Sequence, residues 1–172
     1  MGDLTFVLGG TRSGKSRFAL SRAGRVGGDR VTFVATARSG DPELDARIAG
    51  HRRVRPPGWR TVEADTDLAR ALAATDERDV LLIDSLTLWV AWCLETGIDV
   101  STAWDAVSGH LAARAMPSVI VSDEVGLGIV PVSELGRRFR DEIGLVHQRL
   151  AADAAVVVLL VAGIPVAVKG TL

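Results

Sequence analysis

Residues 6–20 read FVLGGTRSGKSRFAL, and this stretch decides the fold. An apolar run through Leu8 stops at Gly9-Gly10, and a helical pattern follows from Lys15 through Phe18 and Leu20. The order is strand, glycine loop, helix. Gly9, Gly14, Lys15 and Ser16 stand at the spacing of a phosphate-binding loop. Glycines let the backbone curl so that successive N–H groups point inward at an anion. A helix starting near Gly14 adds its positive dipole end and its unpaired N–H groups. Lys15 brings a compact charge to the β- and γ-phosphates, and the Ser16 hydroxyl can ligate Mg²⁺. Gly9, Gly10, Thr11, Arg12, Ser13, Gly14, Lys15 and Ser16 are therefore read as nucleotide-binding. The chain has 20 lysines and arginines, of which only Lys15 and Lys169 are lysines. A protein that otherwise uses arginine keeps lysine where a point charge is wanted.

Working outward, strands are predicted at 4–8, 31–35, 59–63, 80–83, 118–121 and 156–161. Several are continuous Val, Ile and Leu runs, as expected of parallel strands buried on both faces. Helical patterns lie between them at 15–25, 42–53, 67–74, 86–95, 103–115 and 133–152. In the last, Leu135, Phe139, Ile143, Val146 and Leu150 form one apolar stripe, with Ser133 placed as N-cap. The alternation predicts a three-layer α/β domain of the P-loop NTPase type with a mostly parallel central sheet. No linker, repeat or low-complexity tract interrupts residues 1–172, so the chain is read as one nucleotide-binding domain. In such sheets ligands lie at the carboxyl ends of the strands.

Composition narrows the class. The 172 residues are 48% hydrophobic and 24% charged, with a formal net charge of −1. That balance argues against a disordered chain and against a general nucleic-acid binder. The single Cys93 rules out an intrachain disulfide and suits a reducing cytoplasm. The N-terminus enters a strand without a basic leader, and the longest apolar run, 154–164, is too short to span a bilayer. A cytoplasmic protein with no membrane span is expected.

The residues after each strand carry the remaining signals. Asp84 follows the apolar run 80–83, the form of the second magnesium element of phosphate-loop enzymes. Two roles are open to it: holding Mg²⁺ beside Ser16, or capping the next helix. Between 47 and 60 stand Arg47, Arg52, Arg53, Arg55 and Arg60 around His51. Such a cluster either binds anionic groups or forms a solvated helix face balanced by Asp41, Glu43 and Asp45. His51 falls near the apolar side of its helix, where periodicity favours a packed ring over a nucleophile or base. His110 and His147 read as structural or surface residues. Asp123 and Glu124 end the fifth strand, where a carboxylate can approach Mg²⁺ or a substrate hydroxyl.

Taken together, these segments resemble the bifunctional adenosylcobinamide kinase / adenosylcobinamide-phosphate guanylyltransferase family of cobalamin biosynthesis. The matching pieces are GGTRSGKS (9–16), VATA (34–37), RIAGHRRVRPPGWRTVE (47–63), DSLTLWV (84–90), DEVGLGIVP (123–131), FRDEIGLVHQRLA (139–151) and GIPVAVKG (163–170). The segment with His51, Arg55-Pro56, Trp59 and Glu63, paired with the loop at 124–131, is the specific part.

The resemblance implies two reactions. A kinase step moves the γ-phosphate of ATP or GTP onto the aminopropanol hydroxyl of adenosylcobinamide. A guanylyltransferase step carries GMP from GTP to adenosylcobinamide phosphate through a covalent guanylyl-histidine, which by motif position is His51. It further implies that Val34, Ala35, Thr36, Arg52, Arg53, Val54, Arg55 and Glu63 contact the guanine nucleotide. Lys15, Ser16, Asp84 and Mg²⁺ would serve the phosphates, and a homotrimer is implied. The chain departs from the family's usual pattern at Asp123, often Asn, and at His147-Gln148, often Asn-Gln. Gly50 replaces a histidine found in some members. The competing reading is a phosphate-loop kinase of another small molecule, with His51 merely packed and no covalent nucleotide.

Overall fold

The computed structural model describes residues 3–38, 40 and 42–172, with the side chains at 42–44, 47 and 51 outside that description. Elements follow in the order β1 (Leu4–Gly9), α1 (Lys15–Gly27), β2 (Val31–Ala35), α2 (Pro42–Arg53), β3 (Arg60–Glu63), α3 (Leu68–Ala73) and β4 (Val80–Asp84). Then come α4 (Leu86–Glu95), α5 (Val100–Ala113), β5 (Ser118–Asp123), α6 (Glu134–Asp153), β6 (Val156–Val161) and β7 (Ile164–Lys169). Among the described residues, no helix is long and apolar enough to cross a membrane.

Seven strands make one sheet in the order β3-β2-β4-β5-β1-β6-β7, and each pairing is parallel except that of β6 with β7. Successive side chains along a strand point to opposite faces, and both faces here are apolar. On one face Val7, Phe33, Leu82, Val121 and Val158 pack with Ala19 and Ala23 of α1. On the other, Phe6, Val34, Ile83 and Ile120 pack with Trp89, Trp104, Ile143 and Leu150 from α4, α5 and α6. This double burial is why β1, β2, β4 and β5 are mostly apolar, with Thr5, Thr32, Ser118 and Ser122 as their buried polar residues.

Local chemistry sets the helix starts. Asp67, Asp99 and Ser133 each accept a bond from the backbone N–H three residues on, capping α3, α5 and α6. The Asp99 cap starts α5 three residues before the predicted 103, and Val100 extends the buried stripe of Trp104, Val107 and Leu111. Asp84 is the last residue of β4, and the N-cap position of α4 belongs to Ser85. β7 is absent from the sequence reading because Pro165 argues against a strand, and in the structure it is an edge strand whose alternating Ile164, Val166 and Val168 are exposed.

At the sheet's amino end, Arg114 is 6% exposed and donates to Thr75 Oγ1, Asp76 O and Asp79 O at 2.9, 3.1 and 2.6 Å. These bonds tie the turn before β4 to the end of α5. Removing a buried guanidinium that satisfies two carbonyls and a hydroxyl leaves them unpaired. We expect Arg114→Met to lower unfolding free energy by about 2–4 kcal/mol, read from urea denaturation midpoints; a loss under about 0.5 kcal/mol would show that water replaces the bonds at no cost.

Candidate functional site

The loop between β1 and α1 is built around a free helix end. Gly14 is the N-cap of α1 in a left-handed conformation, φ 95°, and no side chain caps the helix. A Cβ there would be strained by that φ and would also meet Gly163 Cα at 3.3 Å. Gly9 is needed for space: a Cβ on it would lie 2.3 Å from Ser13 Oγ and 2.9 Å from Leu160 O. The first N–H groups of α1 are thus left without a capping side chain, at the positive end of the helix. The turn joining β6 to β7 closes one wall, with Gly163 N donating to Ser13 O at 2.9 Å.

Lys15 is 9% exposed and donates from Nζ to Gly10 O at 3.1 Å. It also forms an ion pair with Asp123. Register explains the pair: Gly9 on β1 is level with Asp123 on β5, and Glu124 N donates to Gly9 O at 3.1 Å. β5 therefore brings its terminal carboxylate directly beside the loop.

Asp84 lies at the tip of β4, one strand further away. With neighbouring strands about 4.8 Å apart, β4 runs roughly 10 Å from β1. Ser16 and Asp84 offer a hydroxyl and a carboxylate, both hard oxygen donors. That set fits Mg²⁺, which takes one or two carboxylates together with substrate phosphates and water.

The other side of the site comes from the end of α2 and from β3. Arg52 pairs with Glu63 at 2.5 Å, both side chains 58% exposed. The Arg55 guanidinium lies 3.5 Å over the Phe33 ring and bonds Thr61 Oγ1 at 3.4 Å. Burial lowers its pKa, and the Asp84 carboxylate pulls the other way; a guanidinium stays charged regardless. Arg53 and Val54 are exposed. α2 carries His51 in its last turn, and the His51 side chain lies outside the described residues. Val34 and Thr36 are fully buried, and Ala35 nearly so. The Thr36 hydroxyl donates to Ser85 O and accepts from Ser85 N, at 2.7 and 2.8 Å. Any contact that 34–36 make with a ligand falls to the backbone at the strand end.

Sequence reading underweighted two features here. Trp92 donates its indole N–H to Thr36 O at 3.1 Å, and Arg38, paired with Asp65, sits 5.3 Å over its ring. His147 is buried: Nε2 bonds Ser122 Oγ at 2.8 Å, Ser122 Oγ bonds Thr87 Oγ1 at 3.1 Å, and Thr87 Oγ1 accepts from Asp123 N at 2.7 Å. No local pattern announces this chain, because its members come from α6, β5 and α4.

The comparisons with known proteins match this layout. The family model described as cobinamide kinase / cobinamide phosphate guanyltransferase matches residues 5–168. The chain belongs to this family. It is 41% identical over 167 residues to the bifunctional adenosylcobalamin biosynthesis protein CobP of Pseudomonas aeruginosa, covering 95% of this chain and 96% of that one. It is 39% identical over 182 residues to the bifunctional adenosylcobalamin biosynthesis protein CobU of Escherichia coli K12, covering 96% and 99%. Two solved structures share the fold. They are the flagellar accessory protein FlaH from Methanocaldococcus jannaschii (TM-score 0.55, 13% identity, 99% of this chain and 79% of that one) and the ATPase domain of G40P (TM-score 0.50, 12% identity, 91% and 68%). Both are too distant to carry more than fold. The sheet is that of a P-loop NTPase, as the glycine loop predicted.

Burial lowers the pKa of His147 from 6.5 to about 4, against the opposing pull of Glu124 and Asp123. The unfolded chain therefore takes up a proton that the folded chain refuses. Stability is untouched above pH 6.5 and falls as pH drops from 6.5 toward 4, by up to roughly 3 kcal/mol. Urea titrations of wild type and His147→Asn at pH 7 and pH 4 should show the difference between them shrinking by that order at the lower pH. A difference that stays constant would mean that His147 titrates normally.

Proposed function

We propose that this chain phosphorylates the aminopropanol hydroxyl of adenosylcobinamide with ATP or GTP. It then transfers GMP from GTP to adenosylcobinamide phosphate, giving adenosylcobinamide-GDP for cobalamin nucleotide-loop assembly. The observation that carries the reading, beside family membership, is the meeting of two phosphate-binding features at one sheet end. The uncapped start of α1 with Lys15 supplies one, and the arginines at the end of α2 supply the other. Arg55 is close enough to the β4 tip for Asp84 to oppose the fall in its pKa.

In the kinase step the backbone N–H groups of residues 10–16 and Lys15 hold the phosphates in line with the incoming hydroxyl. The hydroxyl oxygen bonds to the γ-phosphorus, the bond to the bridging oxygen breaks, and the nucleoside diphosphate leaves. Mg²⁺, when bound through Ser16 and Asp84, neutralises charge developing on the phosphate oxygens.

In the guanylyl step a neutral His51 nitrogen bonds to the α-phosphorus of GTP and pyrophosphate leaves. A phosphate oxygen of adenosylcobinamide phosphate then attacks the same phosphorus, and the P–N bond breaks. Arg52, Arg53 and Arg55 lessen the repulsion between triphosphate and substrate phosphate. Glu63 accepts from the guanine edge. Its pair with Arg52 is solvent-exposed, and such pairs contribute about 0–1 kcal/mol, so a guanine can displace it. The backbone at 34–36 and Val54 border the nucleotide. The whole chain acts as one nucleotide-binding domain in the cytoplasm and assembles as a homotrimer. Exposed Ile129, Val132, Ile164 and Val168 supply apolar surface for such subunit contacts.

The test is labelling with GTP carrying ³²P at the α-phosphate, with Mg²⁺, resolved on a denaturing gel. Wild type should retain acid-labile, alkali-stable label, and His51→Ala should retain none. Tight GTP binding without label would overturn the covalent step and favour a kinase of another small molecule. Label persisting in His51→Ala would place the nucleophile elsewhere.

A further inference from the structure

Lys15 is the buried cation of this loop, and here its ammonium is already engaged. It pairs with Asp123, and the two side chains are only 11% and 28% exposed. A pair so shielded is screened less than a surface pair and is harder to exchange. Asp123 is also fixed from beneath: its backbone N–H donates to Thr87 Oγ1 at 2.7 Å, and Thr87 is bonded to Ser122, which is bonded to His147. Ser122 is wholly buried and His147 is 9% exposed, so this support has little freedom to move.

A polyphosphate entering the loop brings negative charge to the position that the Asp123 carboxylate faces. It must take Lys15 from that carboxylate, and then remain beside a like charge within a few ångströms. The geometry points to Asp123 as the determinant that limits the loop's affinity for polyphosphate, with Thr87 as the residue that positions it. The effect is to weaken the hold of the loop on any phosphate chain, product included.

The inference rests on the reading of residues 9–16 as the phosphate site, and one experiment separates the two. Inorganic tripolyphosphate in the presence of EDTA is the probe, since it has no base to engage Glu63 and no metal to be shared with a carboxylate. Binding is measured by calorimetry for wild type, Lys15→Ala, Asp123→Asn, Thr87→Val and the double variant Asp123→Asn/Thr87→Val. Lys15→Ala should bind much more weakly; if it binds like wild type, the phosphate-loop reading itself fails. Asp123→Asn should bind about tenfold more tightly. Thr87→Val should also bind more tightly, by a smaller factor, and should add nothing in the Asp123→Asn background. A purely structural role for Thr87 would instead weaken binding in both backgrounds. Unchanged or weaker binding by Asp123→Asn, with Lys15→Ala still impaired, would overturn the proposal and leave the phosphate site standing.

Discussion

Everything at this site depends on a helix that begins without a cap. Gly14 in its left-handed conformation starts α1 with no side chain turned back onto the first N–H groups. Asp67, Asp99 and Ser133 cap α3, α5 and α6 in that way, while α4, like α1, starts without a side-chain cap. An uncapped start leaves donors and a positive dipole end exposed, which is unfavourable for an isolated helix and useful beside an anion. The cost is offset by packing: Ala19 and Ala23 of α1 are fully buried against the sheet. The helix is held by its apolar face, so its first turn is free for chemistry.

The sheet makes that first turn part of a site. Strand order places β5 between β1 and β4, so the two carboxylates at neighbouring strand tips stand at different distances from the loop. Asp123 on the adjacent strand reaches Lys15, and Asp84 stands one strand further away. One carboxylate is thereby matched to the lysine, and the other is left nearer the arginines of the α2–β3 side. The separation between the lysine loop and the arginine side follows from this spacing.

The buried chain of His147, Ser122 and Thr87 shows how a polar cluster can support such a site. Three side chains in the apolar layer around Phe6 satisfy one another and end on the backbone N–H of Asp123. Burial keeps the imidazole neutral near pH 7. It works as a fixed bond partner in that range, without adding a charge beside the loop.

Much of this protein was legible in the residues alone. The strand-loop-helix at 6–20, the parallel alternation and the arginine-rich segment around His51 are local patterns, because backbone conformation and periodicity depend on near neighbours. Thus the fold class and the phosphate loop are readable from the residues, and β2 and β6 match in both bounds. The edge strand β7 is not readable from them, since Pro165 argues against a strand and its apolar face of Ile164, Val166 and Val168 lies exposed at the sheet's edge. Nor could sequence choose between the open roles of Asp84, or show that His147 is buried. Above all, only the tertiary structure decided which acid meets Lys15. That depends on β5 lying next to β1 with Asp123 level with Gly9, a register set by packing both sheet faces at once and not by any residue's neighbours in the chain.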